Sequence, residues 1–125
     1  MDKVLASKIL GRQLKGIMLH VDLCKTYLLK HNKKCAFTHF VRVLEETKNF
    51  MLTNEHLIDK LGVIIEPVQE AKIVIPADAD IDKLREIWKT YEQETMKLYE
   101  QAVEDEPKCR LWRKLYASTK KEVSM

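Results

Sequence analysis

Glycine and proline are scarce, with three of each in 125 residues, which leaves a helical, globular composition and excludes a disordered chain. The three cysteines, at positions 24, 35 and 109, form no Cys-x-x-Cys pair. An odd cysteine count without a secretory leader implies reduced thiols and an intracellular protein. The opening MDKVLASKILGRQLK has no apolar signal-peptide region, and no run approaches the roughly 18 apolar residues of a membrane span. The expected protein is therefore soluble and cytoplasmic, with no membrane partner. A glycine-rich phosphate loop, a Walker motif and a dinucleotide fingerprint are all missing. The net charge of +3 is too small to demand nucleic acid or an anionic surface as partner.

What is present is helical periodicity in a single domain, with no internal repeat. Four helices are predicted, over 3–30, 36–61, 80–103 and 107–121. Leu10, Leu14, Ile17, Val21, Cys24 and Leu28 follow a 4, 3, 4, 3, 4 spacing and predict the buried seam of the first helix, with Arg12, Lys15 and Asp22 on the opposite side. Phe37, Phe40, Leu44, Thr47, Met51, Asn54, Ile58 and Leu61 predict the seam of the second, with Thr47 and Asn54 as polar core residues that fix register or line a small internal site. Gly62 ends that helix. In the third, Ile81, Leu84, Ile87, Trp88, Tyr91, Thr95, Leu98 and Ala102 face inward, Glu94 sits at the edge and Glu92 points away. In the short fourth helix, started by Pro107, Leu111, Trp112, Leu115 and Tyr116 face inward.

Residues 62–79 are too long for a simple turn. With Val63-Ile64-Ile65, Pro67 and Ile73-Val74-Ile75-Pro76, they read as an extended crossover that returns along the bundle and makes the second and third helices parallel. A helical hairpin, a crossover after a glycine and a second hairpin resemble the ferritin-like four-helix bundle. Phe40-Val41-Arg42 through Leu61-Gly62 resembles the second ferritin helix, and Ile87 through Tyr99 the third.

That resemblance implies a di-iron site of inward glutamates and Glu-x-x-His pairs. The ligand motif is absent: His20 follows Ile17 by three residues, His31 follows Leu28, His39 follows Ala36 and His56 follows Thr53. The family's second-helix Glu and His fall on Thr47 and Phe50, and Ile17 stands near the place of the first-helix Glu. Only Glu94 and the terminal Glu122 remain for the core, so neither iron oxidation nor a cofactor is expected.

His31, Cys35 and His39, spaced by four, offer zinc two imidazoles and a thiolate, without an obvious fourth ligand. Cys35 and His39 also form the weaker Cys-His nucleophile pair, with no orienting third group. Lys108, Arg110, Trp112, Arg113 and Lys114 interleave basic and aromatic side chains, which suits an acidic protein or nucleic acid. Residues 78–106 carry four basic and ten acidic groups and residues 107–125 six basic and one acidic, so the last helix also complements its neighbour.

The leading expectation is a non-catalytic ferritin-like assembly or interaction protein that self-associates as a dimer. Unpartnered apolar residues such as Ile9, Met18 and Tyr27, and the short fourth helix, motivate it. The alternatives are a metal-handling relative with an altered iron or zinc site and a nucleic-acid-binding protein using the basic last helix.

Overall fold

Side-chain caps set three of the four helix starts in the computed structural model, which describes residues 1–125. Asp2 accepts from Leu5 N–H, Asn32 from Cys35 N–H and Asp80 from Lys83 N–H, each satisfying an otherwise unpaired first-turn donor. The helices are α1 (Lys3–Leu29), α2 (Lys33–Leu61), α3 (Ile81–Asp105) and α4 (Arg110–Val123), and the fold is all-α with no strand. The Asn32 cap starts α2 at Lys33, ahead of the predicted residue 36. Pro107 does not open α4: the N–H of Cys109 bonds the carbonyl of Glu106, and the helix begins at Arg110. Gly62 closes α2 in the left-handed conformation at φ 72°, as a terminal glycine does. No helix is long and apolar enough to cross a membrane.

The core has an apolar cluster at each end. Ala6, Ile9, Leu10, Leu57, Ile65, Tyr99, Ala102, Trp112 and Leu115 form one. Leu19, Leu23, Tyr27, Ala36, Ala79, Leu84 and Tyr91 form the other. Most of the buried positions between these clusters are polar: Arg12 and Gln13 on α1, His39, Glu46 and Thr53 on α2, and Glu92 and Thr95 on α3, with His20 and Thr119 buried beside them.

Residues 62–80 form no regular element but are anchored along α1. The N–H of Val68 bonds the Ser7 carbonyl at 3.0 Å, Glu70 pairs with Arg12 at 3.2 Å and Lys15 at 3.3 Å, and Lys72 pairs with Asp22 at 3.0 Å. Arg12, expected on the solvent side, is 5% exposed. Its guanidinium donates to Thr95 Oγ1, the Tyr91 carbonyl and Glu94, and lies 4.5 Å from the Tyr91 ring centroid.

The close approach of α3 to α1 depends on Gly16. A Cβ there would fall 2.6 Å from Tyr91 Cζ and nearer still to the hydroxyl, which donates to the Arg12 carbonyl at 2.7 Å. Tyr91 is buried, and its hydroxyl is tied to α1 by that bond. Gly16→Ala is expected to cost about 1–3 kcal/mol despite alanine's better helix propensity, because overpacking outweighs it. Urea unfolding that shows equal or greater stability would contradict this packing.

Candidate functional site

The inward seams of α1 and α2 are the expected ones displaced by a single residue. On α1 the inward line is Ile9, Gln13, Gly16, His20, Leu23 and Tyr27, with the anticipated 4, 3, 4, 3, 4 spacing. On α2 the fully buried positions are Ala36, His39, Glu46, Thr53 and Leu57. A one-residue step rotates a helix face by about 100°. Much of the apolar line therefore turns outward: Leu14 and Leu28 on α1, with the neighbouring Met18, and Phe37, Phe40, Leu44, Met51 and Ile58 on α2 are exposed. Leu10 stays in the core as expected, and Ile17, Val21, Cys24 and Leu61 are half-buried. Thr47 is also exposed and Asn54 only half-buried, its amide bonding the Phe50 carbonyl, so neither is the core residue expected. Ile9 and Tyr27 belong to the core, and only Met18 of the residues thought to need a partner is exposed.

The two outward stripes lie on helices that pack against each other. Residues 62–80 cover α1 from the side of Ser7, Arg12 and Asp22, while Arg42 and His56 turn α2 toward Glu122 and Trp112 of α4. The stripes occupy what is left, the face over the junction of α1 and α2. Met18, Phe37, Leu44 and Met51 are each 47–64% exposed there, an unusual concentration for one surface of a small protein.

Mutual polar contacts hold the other seam inside. Gln13 donates to Thr53 Oγ1 at 2.9 Å and to Tyr99 Oη at 3.1 Å. His20 Nδ1 meets His39 Nδ1 at 2.9 Å, one nitrogen donating and the other accepting. The His39 ring stacks 5.4 Å from Tyr27 and meets the edge of Trp88 at 4.8 Å. Burial pushes both imidazoles down, His39 to about 4, with its neighbours His20 and Arg42 adding to the effect. Both rings are neutral at pH 7.

Arg42 is the central cation of this layer. It pairs with Glu45 at 2.7 Å, with Glu46 at 3.1 Å and with Glu122 on α4. Glu92, expected to point away, is 4% exposed, with Oε1 3.8 Å from His20 Nε2 and accepting from Trp88 Nε1 at 3.2 Å. Glu122, expected near a frayed end, has a side chain only 13% exposed. Burial raises Glu46 to about 7 against the opposing pull of Arg42, and Glu122 is pushed up by burial and then by the charge of Glu92. Burial tends to lower Arg42, but Glu122 and Glu46 outweigh it and hold its charge.

Three carboxylates and two imidazoles from four helices have the donor chemistry of the di-iron site that the ferritin resemblance implies. Their arrangement does not fit two ions. The cavity lined by Arg42, Glu46, Glu92 and Tyr99 measures about 10 Å³, room for about one water. No three core ligand atoms converge, since the one convergent set in the molecule is His56, Glu106 and Cys109. The guanidinium of Arg42 supplies the positive charge that the carboxylates need.

The sequence-derived candidates are dispersed. His31 is exposed in the α1–α2 turn at φ 58°, Cys35 is half-buried and His39 is enclosed by Tyr27, His20 and Trp88, so these three form no ligand group. Lys108, Arg110, Arg113 and Lys114 are exposed, but Trp112 is fully buried and belongs to the core. A basic surface without its aromatic member retains only charge for an acidic partner.

The buried acids escaped sequence reasoning because a Glu on a polar-rich face reads as solvated, and the apolar seam beside it had the same period. His56 lies 50 residues from Glu106 in sequence, with only the Glu106–Cys109 spacing as a local clue. The chain matches no protein-family model, and no curated protein or solved structure matches it.

Proposed function

We propose that this chain is a non-catalytic, ferritin-like helical assembly protein, cytoplasmic with reduced thiols, that pairs with a second copy through the α1–α2 face. The observation that carries the reading is the outward apolar stripe on both helices of the first hairpin. Leaving Phe37, Phe40, Leu44 and Met51 in water is unfavourable by roughly 25 cal/mol for each Å² of apolar surface. A second copy presents the same stripe, so a two-fold contact covers both at once. The ferritin-like plan is supported by the register of contacts: residues 62–80 track α1 from Ser7 to Asp22, and His39 and Trp88, early in α2 and α3, meet at one level. That register favours parallel α2 and α3. Against catalysis stand the filled core and the guanidinium where a reacting group would need space.

The test is the solution mass of the parent chain beside a Phe40→Glu, Met51→Lys variant. A dimer is expected for the parent. A central aromatic anchor is worth about 2 kcal/mol or more, so each substitution should weaken pairing on the order of 30-fold and leave a folded monomer. A parent chain that stays monomeric at high micromolar concentration would refute self-assembly through this face.

A further inference from the structure

At the corner where α3 turns into α4, away from both the charged core and the apolar face, His56, Glu106 and Cys109 present one imidazole nitrogen, one carboxylate oxygen and one sulfur within 4.8 Å of one another. His56 Nε2 lies 3.0 Å from Glu106 Oε1 and 3.7 Å from Cys109 Sγ. A tetrahedral zinc ion with bonds of about 2.0–2.1 Å to nitrogen and oxygen and about 2.3 Å to sulfur separates its ligands by roughly 3.3 Å and 3.6 Å, respectively. His56 already stands at nearly those separations from its two partners, and the Glu106 oxygen and the Cys109 sulfur lie within 4.8 Å of each other.

Two features point to a metal rather than a nucleophile. In a cysteine–histidine–acid triad the acid orients one ring nitrogen while the other takes the thiol proton. Here the carboxylate and the sulfur both address the same nitrogen, Nε2, so the ring cannot relay a proton between them. The second feature is Glu106 itself. Its side chain is 10% exposed and its Oε1 already accepts from Trp112 Nε1 at 2.6 Å, but Oε2 is buried with no hydrogen-bond partner. The nearest cations, the Met1 amino group and Lys60 Nζ, both stand 3.8 Å from that oxygen, beyond hydrogen-bonding reach. Beside the cluster a groove of about 500 Å³, bordered by Lys60, Asp105 and Lys108, opens it to solvent and leaves room for a water as fourth ligand.

We propose that His56, Glu106 and Cys109 bind one zinc-class divalent cation, a site that clips the second half of α2 to the α3–α4 corner. On binding, the Cys109 thiol proton leaves to solvent and the imidazole proton moves to Nδ1, freeing Nε2 to ligate; no electron transfer is involved. Affinity therefore falls as the pH is lowered, because protons compete for the thiolate and the imidazole.

Cobalt(II) is the probe, added to the metal-free chain under reducing conditions. One equivalent is expected to produce a thiolate-to-cobalt charge-transfer band and the intense visible bands of tetrahedral cobalt. Zinc should displace it stoichiometrically and raise Tm. Cys109→Ser should abolish the charge-transfer band, and His56→Gln should weaken binding on the order of 100-fold, since even losing an outer-shell partner costs 10–100-fold. Circular dichroism confirms that both variants fold, and neither replaced side chain is fully buried. Absence of a charge-transfer band at excess cobalt would overturn the site. So would a spectrum that survives in Cys109→Ser, which would assign the sulfur to Cys24 or Cys35.

Discussion

Replacing Arg42 by leucine is expected to remove about 3–5 kcal/mol of stability at neutral pH, because it leaves buried carboxylates without their cation. For a domain of this size that lowers Tm by roughly 10–20 °C, a large part of the 5–15 kcal/mol typical of natural domains. The deficit should depend on pH in a defined direction. Glu46 is raised from 4.5 to about 7 and Glu122 is raised with it, so the folded protein keeps protons that the unfolded chain has released. Their contribution falls as pH rises from about 4.5 through those folded values. His20 and His39 act oppositely. The unfolded chain protonates near 6.5 and the folded His39 only near 4, so stability falls as pH drops through that interval.

Above about pH 6.5 the carboxylate effect stands alone, and the parent protein should lose Tm steadily from there to pH 8. Arg42→Leu should be hurt most at pH 8 and least near 5.5, where protonation neutralises the orphaned acids. Adding Glu122→Leu should restore part of the loss, since removing both members of a buried pair is far cheaper than removing one. Thermal unfolding at the two pH values decides it. A loss below 1 kcal/mol with no pH dependence would mean that Arg42 is not the counter-ion of the core.

Trp112→Ala is expected to cost a similar 3–5 kcal/mol, the range for truncating a large aromatic in a packed core. Trp112 is fully buried beside Leu57, Ala102 and Leu115, and its indole N–H is the 2.6 Å donor to Glu106. The substitution thus opens a cavity and strips a donor from a nearly buried carboxylate whose charge is held partly by that bond. Burial would raise Glu106, but hydrogen bonds from His56 and Trp112, with the charges of His56 and the amino terminus, hold its carboxyl below the ordinary value. The neighbouring Lys114→Ala, on the exposed face of the same helix, should change stability by less than about 0.5 kcal/mol. Chemical unfolding of the two variants separates the readings: a Trp112→Ala protein as stable as the parent would return this residue to the surface role its basic neighbours suggested.

Helical class, the caps at Asp80 and Gly62 and most of the inward faces of α3 and α4 were legible because each rests on local chemistry. Ile81, expected inward, is nevertheless exposed, and Glu92, expected outward, is buried. Asp80 caps because its carboxylate reaches the N–H of Lys83, and Gly62 stops α2 because it alone adopts a positive φ without strain. Leu84, Tyr91, Thr95, Ala102, Trp112 and Leu115 lie on single unambiguous stripes and are buried as expected. The lack of regular structure across 62–80 likewise follows from its prolines and short extended runs.

The rotation of α1 and α2 was not legible. Each carries two stripes of equal period one residue apart, and periodicity has no means of ranking them. Hydrophobicity favours the Leu10–Leu28 and Phe37–Leu61 stripes, so a sequence reading turns those inward, and of them Leu10 is fully buried. Tertiary structure chose the other pair because Gly16 admits Tyr91, Gln13 reaches both Thr53 and Tyr99, and Arg42 gathers glutamates from α2 and α4. Apart from the Arg42–Glu46 pair within α2, these contacts join residues on different helices and so appear in the pattern of no single one. The sequence by itself determined that there are four helices, that Asp80 caps α3 and that α2 stops at Gly62, but not where α2 and α4 begin. Which face of the first two lies inside was decided by polar groups that satisfy one another only once the helices have met.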